Sequence, residues 1–468
     1  MGVVPFLEFF LKLLCDSKMH YTLDTFVRHS GSFSLLWNRR TSACMILESA
    51  KPFLDAVDYQ ERSLDEIVSL VAGAFQVSPE DVRGDVLEFC EMLVKESFCE
   101  GEDVGSWTPG MVASSSSTSS AATFDQAGTR REDSWTPLGS FFEERGLPIE
   151  LHIDLTNGCT ERCIHCYIPD YTPHFLPLEL VKKILREFRE AGGLTVHFSG
   201  GECMMHPDFA EILHFAKGLH LNMLVLSNLT LCVEEKIALL KEIDPQFVNV
   251  SLYSMDAATH DGITRLPGSW RRTMDAILAL QATGVHIRLA SPVMKNNQSG
   301  LADLKKFADE HHVHLIPDCD IFGQTDHDCS NQCCALSPEE YESVLCRHPW
   351  LSWECASEGA CRPDHKVCDI GKARIDVNSE GNYYPCDGCH GIVLGNAREM
   401  TFSDVWYGEK LNALRALRNR DFGECASCVH RRWCKVCLTR NFNETGDMFR
   451  HTRERCIAAA IRHKFSGE

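Results

Sequence analysis

The sequence predicts an α/β fold: a partial (β/α)6 TIM-like barrel, a small winged-helix-like N-terminal domain ahead of it, and a cysteine-rich C-terminal domain behind it. Three observations carry this. Six strand-like runs alternate with helical segments between residues 150 and 317. A serine-rich polar stretch separates that block from residues 20–100. From residue 355 onward the alternation gives way to short strands, glycines and closely spaced cysteines. Strands that alternate with helices argue for a parallel sheet, open or curled.

Taken in order, "VVPFLEFFLKLLC" (residues 3–15) reads as an amphipathic helix interrupted by Glu8 and Lys12. It is too short to span a bilayer and lacks a basic lead-in. Residues 20–100 form the small domain. There "SFSLLWN" reads as a strand and "ACMILESAKPFLDAV" has helical periodicity. "SLDEIVSLVAGAF" opens on Ser63 with Glu66 three residues later, the signature of a capping box, and "SPEDVRGDVLEFCEMLVKES" repeats it from Ser78. Residues 101–140 hold too few large apolar groups to order themselves and read as a flexible linker, flanked by two copies of "SWTP". The barrel spans 145–340, with strands at "ELHIDL", "LTVHF", "NMLVLS", "FVNVSL", "VHIRLASPV" and "VHLIP". Between the first two lies "LELVKKILREFREA", whose Leu180, Val181, Ile184, Leu185 and Phe188 share a helix face. Residues 355–460 form a third domain, too irregular to be held by an apolar core alone.

The 468 residues carry a net charge of −20, which argues against a nucleic-acid or anionic-membrane partner. Twenty-four cysteines in a large chain with no secretory signal point to metal ligands in a cytoplasmic protein rather than to disulfides. Cys15, Cys44, Cys90 and Cys232 stand apart and read as small core residues.

The chemistry starts directly after the first barrel strand, with "TNGCTERCIHCYIPD". Cys159, Cys163 and Cys166 are separated by three and then two residues. In β/α barrels, catalytic groups collect at the C-terminal ends of the strands. Structural zinc takes four ligands, commonly from paired CxxC knuckles. Three thiols with no fourth nearby suit an iron–sulfur cluster with one iron left open. The spacing resembles the signature of the radical S-adenosyl-L-methionine (SAM) superfamily, and the resemblance implies that SAM chelates the open iron. The second strand ends in "HFSGGEC", whose Gly200, Gly201 and Glu202 match the family's GGE motif. The glycines let backbone approach a ligand, and the carboxylate is expected to hold the methionine ammonium. Asn228, ending the third strand, is the expected ribose contact. "NVSLYSMDAATHDGITRLPGSW" resembles the family's fourth-strand segment, which makes Ser251 and Arg265 candidates for the SAM carboxylate and ribose. His165 and Tyr167 read as packing groups beside the adenine or the cluster.

A second series begins at Cys368, followed after twelve residues by Gly381 and after four more by Cys386. "CASCVHRRWCKVC" then supplies Cys425, Cys428, Cys434 and Cys437, and Cys456 closes the series. This resembles the seven-cysteine pattern of the SPASM domain, except that two residues rather than three separate Cys434 from Cys437. The resemblance implies two auxiliary 4Fe-4S clusters beside the SAM-binding 4Fe-4S cluster. Cys368, Cys386 and Cys437 would serve the first, and Cys425, Cys428, Cys434 and Cys456 the second, with metal standing in for a missing apolar core. Cys361 is the expected fourth ligand of the first, with Cys355 and Cys389 as rivals. Asp387 matches the position of a catalytic general base in the sulfatase-maturing branch. A turn-forming role before Gly388 is its other reading.

The N-terminal domain is similar to the PqqD-like peptide-recognition module that accompanies enzymes modifying ribosomally made peptides. Its logic is β-augmentation, in which a leader peptide adds a strand to a sheet edge, and the linker raises the local concentration of the delivered peptide. Together the resemblances imply a radical SAM oxidoreductase and peptide maturase. An electron passed to SAM cleaves a carbon–sulfur bond and yields a 5′-deoxyadenosyl radical, which takes hydrogen from a precursor peptide and leads to a thioether or carbon–carbon crosslink, or an oxidation. Expected partners are the precursor peptide, through its leader, and an electron donor such as flavodoxin or ferredoxin. The rivals are the same chemistry on a folded protein or a tetrapyrrole-like small molecule, and a non-catalytic iron–sulfur sensor.

Overall fold

The computed structural model describes residues 18–101, 135–351, 361–434 and 436–466. The helix expected at 3–15, most of the linker, and Cys15 and Cys355 lie outside these residues. The chain divides into two compact units, residues 1–145 and 146–468.

The first unit runs β1 (Lys18–Tyr21), β2 (Thr25–Ser30), β3 (Phe33–Asn38), β4 (Cys44–Glu48), α1 (Lys51–Ala56), β5 (Arg62–Ser63), α2 (Leu64–Phe75), α3 (Pro79–Lys95), β6 (Cys99–Gly101) and α4 (Trp135–Arg145). Two small antiparallel sheets, β2-β3-β4 and β5-β1-β6, accompany the helices, whose buried faces include Leu54, Ile67, Val68, Val71, Val86 and Leu93. The capping box forms as expected: Ser63 accepts from the Glu66 N–H at 3.3 Å, and Glu66 accepts from the Ser63 N–H at 2.7 Å. The second one does not. Ser78 stands at the N-cap of α3, but its hydroxyl donates to Asp81 at 2.8 Å instead of accepting from the backbone. The stretch expected to be one helix from Ala43 splits in two. Its first half, β4, pairs antiparallel with β3. Ser49 then adopts φ 60°, and Pro52 fits the first turn of α1, so the helix begins only after that bend.

In the second unit, β7 (Glu150–Asp154), α5 (Leu178–Glu190), β8 (Thr195–Ser199), α6 (Phe209–Gly218), β9 (Asn222–Ser227), α7 (Glu234–Ile243), β10 (Phe247–Ser251), α8 (Ala257–Thr264), α9 (Ser269–Ala282), β11 (Ile287–Pro292), α10 (Leu301–Glu310) and β12 (His314–Asp318) form the expected alternation. All six strands pair in parallel and in sequence order. Val181, Ile184, Leu185 and Phe188 of α5 are fully buried, and Leu180 packs at the margin.

After α11 (Pro338–Arg347) come β13 (Arg374–Val377), β14 (Asn382–Tyr384), β15 (Gly395–Asn396), α12 (Phe402–Trp406), α13 (Glu409–Arg415), α14 (Leu438–Thr445) and α15 (Arg453–Phe465). Here the structure corrects the expectation of a region without its own apolar core. β13 pairs in parallel with β7, and β14 and β15 extend the same sheet to nine strands. Ile375, Val377, Tyr383, Phe402, Trp406 and Leu411 are buried in one cluster with the barrel residues. Cys368, Cys386, Cys425 and Cys434 pack against that cluster, so the thiols adjoin an apolar core and do not replace one. Among the described residues no helix is long and apolar enough to cross a membrane.

Candidate active site

The C-terminal ends of the barrel strands border a cavity of about 390 Å³. Cys159, Cys163 and Cys166 line it together with Gly200, Gly201, Asn228, Ser251 and Asp387. The trio lies on the loop after β7, and several bonds hold that loop. Arg162 N–H donates to Thr264 O at 2.9 Å and Ile164 N–H to Ile263 O at 3.0 Å, tying the loop to the end of α8. The GGE turn fits against it from the other side, with Gly201 N–H donating to Thr156 O at 2.7 Å and Glu202 N–H to Gly158 O at 2.8 Å. Gly200 has φ 121°, a conformation L side chains rarely adopt. A Cβ there would collide with the Thr156 carbonyl oxygen, and one on Gly201 with the Gly158 carbonyl oxygen.

The donor set fits the group it is expected to hold. All three thiols are free and half-buried. Burial, and the carboxylates and thiols around it, push Cys159 up to about 12, and Cys163 and Cys166 are also raised, first by burial. Crowded, desolvated thiols give up their protons when a metal supplies the missing positive charge.

Glu202 is placed differently from the expectation that its carboxylate is held for a ligand ammonium. It is 1% exposed. Its Oε1 accepts from Ser227 Oγ at 2.8 Å and Met204 N–H at 3.0 Å, and its Oε2 from Asn228 N–H at 2.8 Å. The carboxylate therefore joins the ends of β8 and β9. The Asn228 amide donates to Thr160 at 3.1 Å and accepts from Thr230, which holds it against the trio's loop. Ser251 ends β10 on the cavity wall. Arg265 is not brought there: it is exposed in a left-handed turn that closes α8. In the same segment, His260 stacks on Tyr253, and Asp261 accepts from Gly268, Ser269 and Trp270, so Asp261 orders the start of α9.

Asp387 reaches the cavity with 41% of its side chain exposed. Arg374 donates to its Oδ1 at 3.4 Å, and Arg374 is itself paired with Glu150 at 2.6 Å. Burial would raise this carboxyl, but His152 and Arg374 outweigh it and hold it well below the ordinary value. The sequence reading passed over Tyr253, whose hydroxyl is 3.7 Å from Cys163 Sγ and whose ring meets His165 edge-on. It also passed over Glu161, Asp318 and Asp320 on the cavity wall. Glu161, inside the cysteine motif, was the one with a local signal. Tyr167 lines the cavity as well.

The C-terminal thiols separate into two groups. Cys425, Cys428, Cys434 and Cys456 line one small space with His451, whose Nδ1 is 3.4 Å from Cys425 Sγ. Cys437 lies within electrostatic reach of Cys368, Cys386 and Cys389 instead. The short spacing between Cys434 and Cys437 still turns these two thiols to different groups. Cys437 caps α14, accepting from Arg440 N–H at 3.4 Å. Of the three candidates for a fourth thiol, Cys389 is fully buried within reach of Cys368 and Cys437, Cys361 is half-buried on the preceding loop, and Cys355 is outside the described residues.

Comparison with known proteins agrees with this layout. Residues 153–308 match the radical SAM superfamily, 368–429 an iron–sulfur cluster-binding (SPASM) domain, and 36–98 coenzyme PQQ synthesis protein D (PqqD). The chain carries radical SAM, SPASM and PqqD-like domains, and with them it is an enzyme of the radical SAM type. These domains imply 4Fe-4S clusters and SAM as cofactors. Among curated proteins it is similar to an AdoMet-dependent heme synthase of Methanosarcina barkeri (strain Fusaro / DSM 804). The two are 25% identical over 63% of this chain and 92% of that protein. It is also similar to a PqqA peptide cyclase of Gluconobacter oxydans (strain 621H), 23% identical over 55% of this chain and 76% of that one. In fold it resembles Streptococcus suis SuiB, solved bound to precursor peptide SuiA, with a TM-score of 0.55 and 16% identity over 91% of this chain and 97% of that one.

Proposed function

We propose that this enzyme uses SAM-derived radical chemistry to modify a ribosomally synthesised precursor peptide, leaving a thioether or carbon–carbon crosslink or an oxidised residue. The observation that carries the reading is the presence, in one chain, of a PqqD-like unit and a thiol trio opening on a cavity of about 390 Å³. In the first unit β4 is an edge strand with Ile46 40% exposed, a surface onto which a leader peptide can add a strand. Similarity to a peptide cyclase supports the same reading.

Cys159, Cys163 and Cys166 would hold the cluster that binds SAM. The other two sets would be Cys368, Cys386 and Cys437 with Cys389, and Cys425, Cys428, Cys434 and Cys456. When bound, the cluster and SAM supply a carbon radical able to take hydrogen from an unactivated C–H bond. This chain's own side chains do the remaining work. The bare backbone at Gly200 and Gly201 lets a ligand lie close, and Glu202 keeps β8 and β9 in register beneath it. Asn228 and Thr160 fix the loop. Asp387 is the candidate proton acceptor at the cavity: Arg374 and His152 keep its carboxylate ionised, which makes it available but a weak base.

The test is anaerobic incubation of the reduced, cluster-loaded enzyme with SAM and a co-expressed candidate precursor peptide, read by mass spectrometry. Loss of two hydrogens from the peptide, with 5′-deoxyadenosine formed, is the expected result. SAM cleavage that never alters the peptide sinks the proposal. A second reading, a tetrapyrrole-like small-molecule substrate, rests on the match that spans 92% of a heme synthase. It predicts turnover of an iron porphyrinoid in the same assay and no leader binding.

A further inference from the structure

A second donor set, free of sulfur, adjoins the cavity. His152 and Asp154 lie on β7 and Asp376 on β13, and one ligand atom from each falls within 4.8 Å of the other two. Strand pairing assembles them, because Asp376 stands opposite His152 in the parallel β7–β13 ladder. All three are buried, at 4%, 5% and 0% exposure.

Among the described residues the set lacks hydrogen bonds at these ligand atoms and is held only by ion-pair contacts, His152 to Asp154 and His390 to Asp376. Both Asp376 oxygens, Asp154 Oδ1 and His152 Nε2 lack a hydrogen-bond partner. His152 Nε2 and Asp154 Oδ1 are 3.3 Å apart without hydrogen-bond geometry. Donors held about 2.0–2.2 Å from a tetrahedral metal are separated by roughly that distance. Buried carboxylates are normally paired, hydrogen-bonded or bound to metal. On the far side, His390 Nε2 lies 3.7 Å from Asp376 Oδ2, and its ring stacks on Tyr384 at 4.6 Å, an arrangement suited to steadying a ligand carboxylate.

We propose that His152, Asp154 and Asp376 bind a first-row divalent cation separate from any cysteine-held cluster. One imidazole and two carboxylates with no thiolate suit zinc, manganese(II) or iron(II). Three protein ligands leave a coordination position open, and His152 itself lines the cavity, so the ion sits at the cavity wall. It also ties the first barrel strand to the first strand of the cysteine-rich region, across the ladder that joins them.

The test measures zinc, manganese, iron and acid-labile sulfide in anaerobically purified holoenzyme, before and after chelator dialysis and addition of Zn²⁺ alone. Wild type is expected to hold about one divalent ion per chain beyond the iron matched by sulfide. Asp376→Asn and Asp154→Asn should each lower that ion at least tenfold while leaving sulfide per chain unchanged. Iron equal to sulfide, with no zinc or manganese before or after Zn²⁺ addition, overturns the proposal and leaves His152 as the cation of an ion-pair cluster. An ion retained equally by both variants overturns it as well. If both variants fail to fold, the wild-type stoichiometry and its Zn²⁺ uptake decide the matter.

Discussion

Two sets of thiols in the second unit use the same element in opposite ways. Cys159, Cys163 and Cys166 come from a single loop and border a cavity of about 390 Å³. Cys425, Cys428, Cys434 and Cys456 come from separate turns and from α15, and they close on a space of about 30 Å³. Segments converging from several directions can surround a metal group, although Cys456 itself is exposed. One loop supported from behind by β8 and α8 can only present it. The difference between the two sets is the room beside them, about 390 Å³ against about 30 Å³, and only the trio has space for a second ligand next to its thiols.

Four experiments break or sharpen that contrast. The largest effect is expected for Cys163→Ala, which should abolish 5′-deoxyadenosine formation and remove about four irons per chain. Cys434→Ala should also lose iron yet leave SAM cleavage measurable, with a lower melting temperature because it undoes a closed set. Equal SAM cleavage in the two variants would erase the distinction. Next, Asp387→Asn should slow peptide product formation about 10²–10³-fold while SAM cleavage continues, since a proton acceptor is removed and the trio is untouched. Product and 5′-deoxyadenosine are quantified in the same reaction.

Third comes Asp320, which lines the open cavity and pairs with Arg440 of α14 at 2.7 Å and Arg462 of α15 at 3.5 Å. Burial would raise its carboxyl, but Arg440, Arg462 and Arg455 outweigh that and hold it below the ordinary value. A depressed carboxyl contributes stability that is complete above its unfolded value, about 3.9, and is lost as pH falls through the folded one. Asp320→Asn should therefore cost about 3 kcal/mol near neutrality and flatten the acid limb of stability below about pH 4, followed by circular dichroism melts. The smallest effect is expected in the first unit. Ser63→Ala should cost about 1 kcal/mol by opening the capping box and leave SAM cleavage unchanged.

The barrel was legible because each strand is a short apolar run bounded by turn residues, and "NMLVLS" matches β9 residue for residue. The cysteine trio and the GGE turn were legible because their spacing along the chain is their geometry. What escaped depends on contacts distant in sequence. Tyr383, Phe402 and Trp406 lie scattered among glycines and cysteines, and only the pairing of β13 with β7 gathers them into the barrel's core. Glu202 looked like a free carboxylate, because nothing local indicates that Ser227 and Asn228 arrive to occupy it. Arg265 falls outside the cavity because a left-handed residue ends α8 there and turns the chain away. Met45 and Ile46 fit a helical period as well as a strand, and the neighbouring strand decided between them.

The contact between the GGE turn and the cysteine loop has a practical consequence for anyone rebuilding this scaffold. With carbonyl oxygens of Thr156 and Gly158 filling the space a side chain would need, the two loops are complementary surfaces that cannot be edited one at a time. A transplant of the cysteine loop into another barrel would have to carry residues 200–202 with it. An insertion in either loop would separate the surfaces and shift the thiols away from the rest of the cavity wall. The smallest portable piece of this active site is the pair of loops.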